Sequence, residues 1–488
     1  MTTGLSGLED TINKALGPAA DLANAYVFLP VSIGPGQLPV LVIWLVAVSL
    51  AMTIGFRFIN LRGLWQAVRI ARGDYTDPAS HGEVSQFGAL SAALAGTLGL
   101  GSVAGVAVAI SIGGAGAMVW MTITGFLGMT VKLAECTLAV KYRTIGSDGI
   151  VNGGPMHYIP VAFGRLHLRP VGMALAIFFC IATVLASTSV FQVNQAFVQV
   201  KAVTGLQSPL LFGIIFALVV GLVIVGGMRS IARVCTRLVP FLVLAYFVAV
   251  MVILVANASA IPGLIARAFV DAFDFRAVLG GGFGALVVGV QRAAYAGESG
   301  LGSAPIAHAA AKTDEPVSEG LVSLLEPFVT VVIVCNLTAL AILAPGIDMP
   351  KGIAGIEIAS AAFSTVSPWF APVLAVLVAL LAYKTVIGWA YYGERTFCWL
   401  VGEGEKRRII FRIAYLAALA VAPTLTVGEA IRFLDAMMFA MSVPNTIAVL
   451  LLAPELHRDV RSYYSRIVRR PPPTNGRSEG ELIAPAPT

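Results

Sequence analysis

The sequence predicts an all-α integral membrane protein with eleven transmembrane helices. One is peripheral, and ten form a five-plus-five inverted repeat with two broken helices. Three observations carry this. The 488 residues are 58% apolar and only 12% charged, with a mean hydropathy of +0.86, whereas soluble domains carry about 25% charged residues. The apolar residues gather in runs close to the roughly 20 residues that cross a bilayer. Two of those runs, in matching positions, are crowded with glycine. Charge this sparse cannot coat a water-exposed globule. A large soluble enzyme, a disordered chain and a nucleic-acid-binding domain are thereby excluded.

In chain order, residues 1–38 read as an extracytoplasmic segment. Within it Leu5, Leu8, Ile12 and Leu16 share a helical face, and Gly17-Pro18 ends that helix, as in an interfacial amphipathic helix. Residues 39–57 form the peripheral span. Residues 86–255 form the first repeat, with spans at roughly 86–112, 116–140, 171–191, 209–227 and 237–255. Residues 278–453 form the second, with spans at roughly 278–296 (continuing broken to 311), 320–344, 368–392, 409–427 and 433–453. Residues 454–488 read as a cytoplasmic tail, Pro-rich and polar from Pro471 and expected to be disordered.

Basic residues orient this arrangement. With 57–85 on the cytoplasmic side, 24 of the 32 Lys and Arg fall inside, Arg292 among them, and 6 fall outside. The N-terminus is then outside and the C-terminus inside, in a plasma membrane of the bacterial type. The net charge of +6 follows from this rule and needs no nucleic-acid partner. The five cysteines and five histidines show no metal-ligand or redox spacing, and no catalytic set gathers at one depth. No enzyme, metal or cofactor is expected beyond a coupling ion. Oligomeric state is not legible.

The first glycine-rich span reads GTLGLGSVAGVAVAISIGGAGAM from Gly96, and the second reads GGGFGALVVGVQRAAYAGESGLGSAP from Gly280. Non-helical backbone at membrane depth survives where it lines a cavity. Five spans per half is odd, so the second half enters from the opposite side, and the site is expected where the two breaks meet near the midplane. Broken helix ends offer N–H groups to a carboxylate and C=O groups to an ammonium or a cation. A zwitterionic amino acid satisfies both. The candidate substrate residues are therefore Thr97, Gly99, Leu100, Gly101 and Ser102 of the first break and Ala296 and Gly297 of the second.

These residues resemble the alanine/glycine:cation symporter family over about 85–400. GTLGLGSVAGVA (96–107) is similar to GT-x-G-T-G-N-I-A-G-V-A, and GGAGAMVW (113–120) to GGPGA-x-FW. GMTVKLAECTLAVKYR (128–143) and GGPMHYI (153–159) resemble its second-helix and loop signatures. RAAYAGESGLGSAP (292–305) resembles R-G-x-F-S-N-E-A-G-x-G-S-A-P, and LAYKTVIGWAYYGE (381–394) resembles F-A-F-S-T-I-I-G-W-x-Y-Y-G-E. The resemblance implies the inverted-repeat fold of leucine-type transporters and cotransport of alanine or glycine with Na⁺ or H⁺. It also marks Gln192 and Asn194, at the outer end of the fourth span, as hydrogen-bonders to substrate.

The departures are as informative. Gly99-Leu100-Gly101-Ser102 stands for G-T-G-N, and Ala296-Gly297-Glu298-Ser299-Gly300 for S-N-E-A-G. Phe328-Val329-Thr330-Val331 stands for F-x-D-T, and Tyr383-Lys384-Thr385 for F-S-T. Most of these swaps remove oxygen or amide groups, and one adds a cation. In the implied fold a structural sodium lies between the first broken helix and the eighth core helix, which here carries Lys384. The candidate cation site is Lys384, Thr385, Gly99 and Ser102. The Lys384 ammonium is expected on carbonyls near Thr97–Gly101. Glu394 lies about 15 Å further along the helix, too far for the side chain to escape by snorkelling. An ammonium that takes up and releases a proton predicts H⁺ coupling or Na⁺-independent exchange.

Other charges within the spans are candidates for gating or structure. Lys132 and Glu135 are spaced to pair on one helical face; Glu298, in the second broken helix, is a candidate to cap free N–H groups, to join Arg292 at the inner gate or to meet the substrate ammonium. Glu326 precedes Pro327, where a kink is expected, and has no evident partner. Trp120, Tyr383 and Trp389 are candidate pocket walls. Two further functions stay open: an ordinary Na⁺-dependent alanine/glycine symporter, and a transporter-derived sensor that binds amino acid without moving it.

Overall fold

A computed structural model describes residues 17–33, 36–77, 79–146, 149–273, 284–347, 355–425 and 429–468. The amphipathic stretch Leu5–Leu16, the start of the seventh span and the tail from Pro471 lie outside these. Helices dominate. Six are long and apolar enough to cross a membrane, and a bent pair makes a seventh. The protein is a multi-pass membrane protein. Val40–Gly55 and Pro209–Ile224 are shorter apolar helices of 16 residues each. The described strands are two short antiparallel pairs, Pro30–Ile33 with Gly36–Pro39 and Thr144–Ile145 with Val151–Asn152.

Each glycine-rich span is broken where its glycines cluster. The first begins at Gln86, where the Ser85 hydroxyl accepts the Gly88 N–H at 3.0 Å and caps the helix. It runs to Thr97, passes through a short 3₁₀ turn at Leu100–Ser102, and resumes at Ala104–Gly113. The two halves bend by 60°. The second runs Gly284–Gly297, breaks, and resumes briefly as Ala304–His308. Its break turns through the left-handed region at Glu298, Gly300 and Gly302. That conformation suits the glycines and strains the glutamate.

The elements around the breaks differ from the sequence expectation in two places. The fourth span extends to Thr204. Ser189 is left-handed, and a second helix, Val190–Thr204, follows Arg169–Ala186. Gln192 and Asn194 therefore sit in the first turns of an interior helix, 7% and 6% exposed, and not at the outer end of the span. The other difference follows Pro327, which has no N–H to continue the α-helical ladder. Phe328–Cys335 winds as a π-helix there before Asn336–Leu343 resumes.

The long helix Phe370–Val401 packs against the first half-helix, and Gly116–Lys141 packs along the second broken helix. At the first contact two glycines allow near touching of backbones. A Cβ on Gly388 would lie 2.8 Å from the Gly96 nitrogen. This approach, one turn beyond Lys384, sets the depth of that side chain.

Candidate functional site

Lys384 is fully buried near the middle of its 32-residue helix. Its ammonium donates to the carbonyl of Leu98, to that of Ala95 at 3.1 Å and, more weakly, to that of Leu94 at 3.4 Å. These carbonyls belong to the last turn of Gln86–Thr97 and the residue after it. In a continuous helix the Ala95 carbonyl would accept from Gly99. Here the Gly99 N–H turns to Thr97 instead, so the break frees oxygen for a cation. Lys384 forms no ion pair among the described residues. Its charge is solvated by backbone dipoles, as a metal ion's would be.

The rest of the expected cation site is placed differently. Of the three carbonyl contacts, that of Leu98 falls within the expected 97–101, while those of Ala95 and Leu94 lie before it, because the side chain also reaches back along the half-helix. The Thr385 hydroxyl donates to Leu381 of its own helix at 2.9 Å. Thr385 instead packs on Gly99, where a Cβ would come 2.7 Å from Oγ1. Ser102 is buried and faces Cys335. None of these three touches the ammonium.

A cavity of about 40 Å³ lies between the two breaks. That is room for a few waters. Gly96, Thr97, Gly99 and Gly101 line one wall; Tyr295, Glu298, Trp389 and Asp435 line others. Gln192 closes a further side, and its Oε1 accepts the Leu100 N–H at 3.2 Å. The amide thus satisfies one donor of the broken helix, and Tyr295 lines the same cavity beside it. At the other end Glu298 accepts from Ser303 Oγ and from Trp389 Nε1, the latter at 3.2 Å.

The second break is held by a different lysine. Lys132, also fully buried, donates to the Glu298 carbonyl at 2.9 Å. Its ammonium lies 3.4 Å from Glu135 and 3.9 Å from Glu326. Glu326 engages His308 Nε2, and Glu319 engages His308 Nδ1. Asn445 ties Glu135 at 2.7 Å to the Gly300 carbonyl at 2.8 Å. One network of hydrogen bonds and ion pairs therefore spans Gly116–Lys141, the second break, Pro316–Ser323 with Leu325–Pro327, and Ser442–Tyr463. Cys136, His308 and Glu326 bring ligand-type atoms within 4.8 Å of one another, a grouping that no sequence spacing announces. Both nitrogens of His308 are already engaged by carboxyl groups, so the geometry is that of a polar network.

A family model described as the sodium:alanine symporter family matches residues 32–474. The chain belongs to this family. It is 35% identical to the sodium/alanine symporter AgcS of Methanococcus maripaludis, over 85% of this chain and 92% of the relative. It is 30% identical to the probable sodium/glutamine symporter GlnT of Bacillus subtilis, over 87% of each chain. It is 32% identical to YrbD of the same organism, a putative sodium/proton-dependent alanine carrier, over 84% of this chain and 86% of the relative. Among solved structures, it shares its fold with MhsT in complex with L-phenylalanine (TM-score 0.53, 15% identity, 79% of this chain and 99% of that one). A Na⁺-coupled sialic acid symporter is similarly related (TM-score 0.51, 12% identity, 86% of this chain and 92% of that one). Members of the sodium:alanine symporter family are transporters, not enzymes.

Set in this family, the expected site residues separate clearly. Thr97, Gly99, Gly101 and Gln192 line the cavity. Leu100 contributes its backbone N–H only. Ala296 packs into an apolar cluster with Val331 and Cys335, and Gly297 faces Val331. Asn194 binds the Leu425 carbonyl at 2.5 Å. Lys132 and Glu135 meet as the spacing predicts. Arg292 and Glu298 do not, because the left-handed turn at Glu298 points the acid at Ser303 and Trp389. Arg292 lies within the helix Gly284–Gly297, before the break, and attracts Asp435. Of the aromatic candidates only Trp389 lines the cavity. Trp120 donates to Ala272 at 3.0 Å, and Tyr383 reaches toward Val219. Asp435, Tyr295, Glu319 and His308 were missed. For Asp435 the signal was present: an acid inside a predicted span marks function by default.

Proposed function

We propose that this protein moves a small neutral amino acid, of the alanine or glycine kind, across the membrane by alternating access, with the Lys384 ammonium in place of a structural sodium ion. Ten helices act as two inverted repeats, 86–255 and 278–453, beside a peripheral helix at 39–57. The N-terminus faces outward and the C-terminus inward. The observation that carries the reading is the Lys384 ammonium on the freed carbonyls of the first break, unpaired among the described residues. A fixed charge there removes the need for one bound sodium. Coupling then passes to a proton, or the protein exchanges substrates without sodium.

The substrate's carboxylate is assigned to the backbone of the first break, Thr97 to Ser102, with Gln192 holding that backbone in shape. Ala296 and Gly297 limit the pocket from behind. Both Glu298 oxygens are already engaged, so Asp435, across the cavity, is the better partner for the substrate ammonium. Lys132 and Glu135 serve as a structural pair behind the second break.

The test is uptake of labelled alanine into proteoliposomes, with Na⁺ replaced by choline and with a proton gradient imposed separately. Uptake is expected to persist without Na⁺ and to respond to the proton gradient. Strict Na⁺ dependence without a pH response overturns the assignment of Lys384 and returns the protein to ordinary sodium symport. Binding without counterflow overturns transport itself.

A further inference from the structure

A second cavity, of about 510 Å³, lies far from the breaks, where the peripheral helix Val40–Gly55 ends beside Ser442–Tyr463. Its walls include Arg57, Arg62, Arg461 and His457. Among the described residues none of the three arginines has an acidic partner. Other arginines, such as Arg72, Arg229 and Arg458, also lack one among the described residues; Arg57, Arg62 and Arg461 are set apart by lining one cavity. Arg69 pairs with Asp74 at 3.2 Å, Arg466 with Glu315 at 2.9 Å and Arg412 with Glu394 at 2.5 Å. The backbone is shaped to present the cluster. Arg57 and Phe58 are both left-handed, with φ of 52° and 56°, which turns the chain sharply as it leaves the helix. The ring of Phe56 meets the His457 imidazole edge-on at 5.6 Å. Tyr464 also lines the cavity, and its hydroxyl is buried with no hydrogen-bond partner.

The surroundings place the cavity at the level where lipid tails meet headgroups. Phe58, Leu61 and Trp65 are 45%, 60% and 67% exposed. The neighbouring helix Leu64–Arg72 buries Ala67 and Ile70 on its other face. Leu50 and Ile54 are exposed on the peripheral helix, about two turns and one turn before Arg57. Large apolar side chains left open beside unpaired arginines suit a ligand with an acyl part and an anionic head. Basic pockets between transmembrane helices bind such heads, and guanidinium groups match phosphate oxygens in bidentate geometry.

We propose that this cavity binds the phosphate headgroup of an anionic phospholipid, held by Arg57, Arg62 and Arg461 and by the Tyr464 hydroxyl. The site is independent of the transport reading and requires only that the protein sit in a membrane.

The test uses the full chain in nanodiscs and native mass spectrometry, with phosphatidylglycerol as the probe and phosphatidylcholine as the neutral control. Wild-type protein is expected to retain phosphatidylglycerol in preference to phosphatidylcholine. The R57Q/R62Q/R461Q variant should lose that preference by on the order of tenfold or more. The three side chains are exposed, so the fold should survive; R461Q alone supplies a milder version. R69Q/R72Q/R466Q, which removes basic residues outside the cavity, should leave retention unchanged. Equal retention by the cavity variant and wild type overturns the proposal. So does displacement of the lipid by inorganic phosphate, which would mark a site for soluble anions.

Discussion

Each broken helix of this protein is held at its break by one fully buried lysine that donates to backbone carbonyls, but the two surroundings are opposite. Lys132 stands among carboxylates, with Glu135 and Glu326 within 4.0 Å and His308 and Glu319 behind them. Lys384 meets backbone carbonyls alone. The first ammonium is one charge in a network that would be unbalanced without it. The second is a charge that the fold tolerates because a broken helix leaves oxygen atoms to solvate it. A buried charge becomes structural or functional according to what faces it, not according to its burial.

The largest expected effect is on the Lys132 side. Lys132→Met leaves several buried carboxylates without their cation, and breaking a buried pair in this way costs about 3–5 kcal/mol. Loss of folded protein, or a large fall in thermal midpoint in detergent, is expected. Adding Glu326→Gln should recover part of it. A Lys132→Met protein as stable as wild type would erase the contrast.

The next effect separates stability from transport. Lys384→Met removes an ammonium that has no acidic partner and leaves its carbonyls unmet, at about 1–3 kcal/mol for each group fully orphaned, offset by the relief of a buried charge. The fold should survive with little change in midpoint while alanine uptake is lost. Lys384→Ser should either abolish uptake or restore a sodium requirement. Sodium-independent uptake in the serine variant would end the view of Lys384 as a built-in cation.

Two smaller substitutions probe the geometry on which the Lys384 side depends. Gly99→Ala would bring a methyl into the Thr385 hydroxyl, and the displaced helix would carry Lys384 with it. Uptake should fall about tenfold or more, at ~1.4 kcal/mol per decade, and Gly99→Ala/Thr385→Ala should recover much of it. Gln192→Ala leaves the Leu100 N–H unpaired at a cost of about 1–3 kcal/mol. Weaker alanine binding by isothermal titration is expected, with a near-normal thermal midpoint. Unchanged binding would free Gln192 of its role in shaping the break.

Much of this was legible in the chain. The density of Gly96, Gly99 and Gly101 and of Gly297, Gly300 and Gly302 marked both breaks, because only glycine-rich backbone abandons a helix this readily. The i,i+3 spacing of Lys132 and Glu135 marked their pairing. Lys384 was visible because a lysine inside a span is costly. Its exact acceptors were not, since they depend on how far Gly96 and Gly388 let two backbones approach. The pairing of Arg292 with Glu298 failed because the left-handed turn at Glu298 redirects its side chain. His308 with Glu319 and Glu326 could not be read at all; local periodicity says nothing about three groups brought together by separate helices.

By itself, the sequence determined that the chain crosses a membrane many times, where its helices break and which charges lie within it. These are consequences of composition and local periodicity, set by what lipid and backbone geometry permit. The tertiary structure alone decided which buried charge meets carboxylates and which meets bare carbonyls. That choice rests on long-range packing between helices hundreds of residues apart, where a single close glycine contact fixes the depth at which a side chain ends.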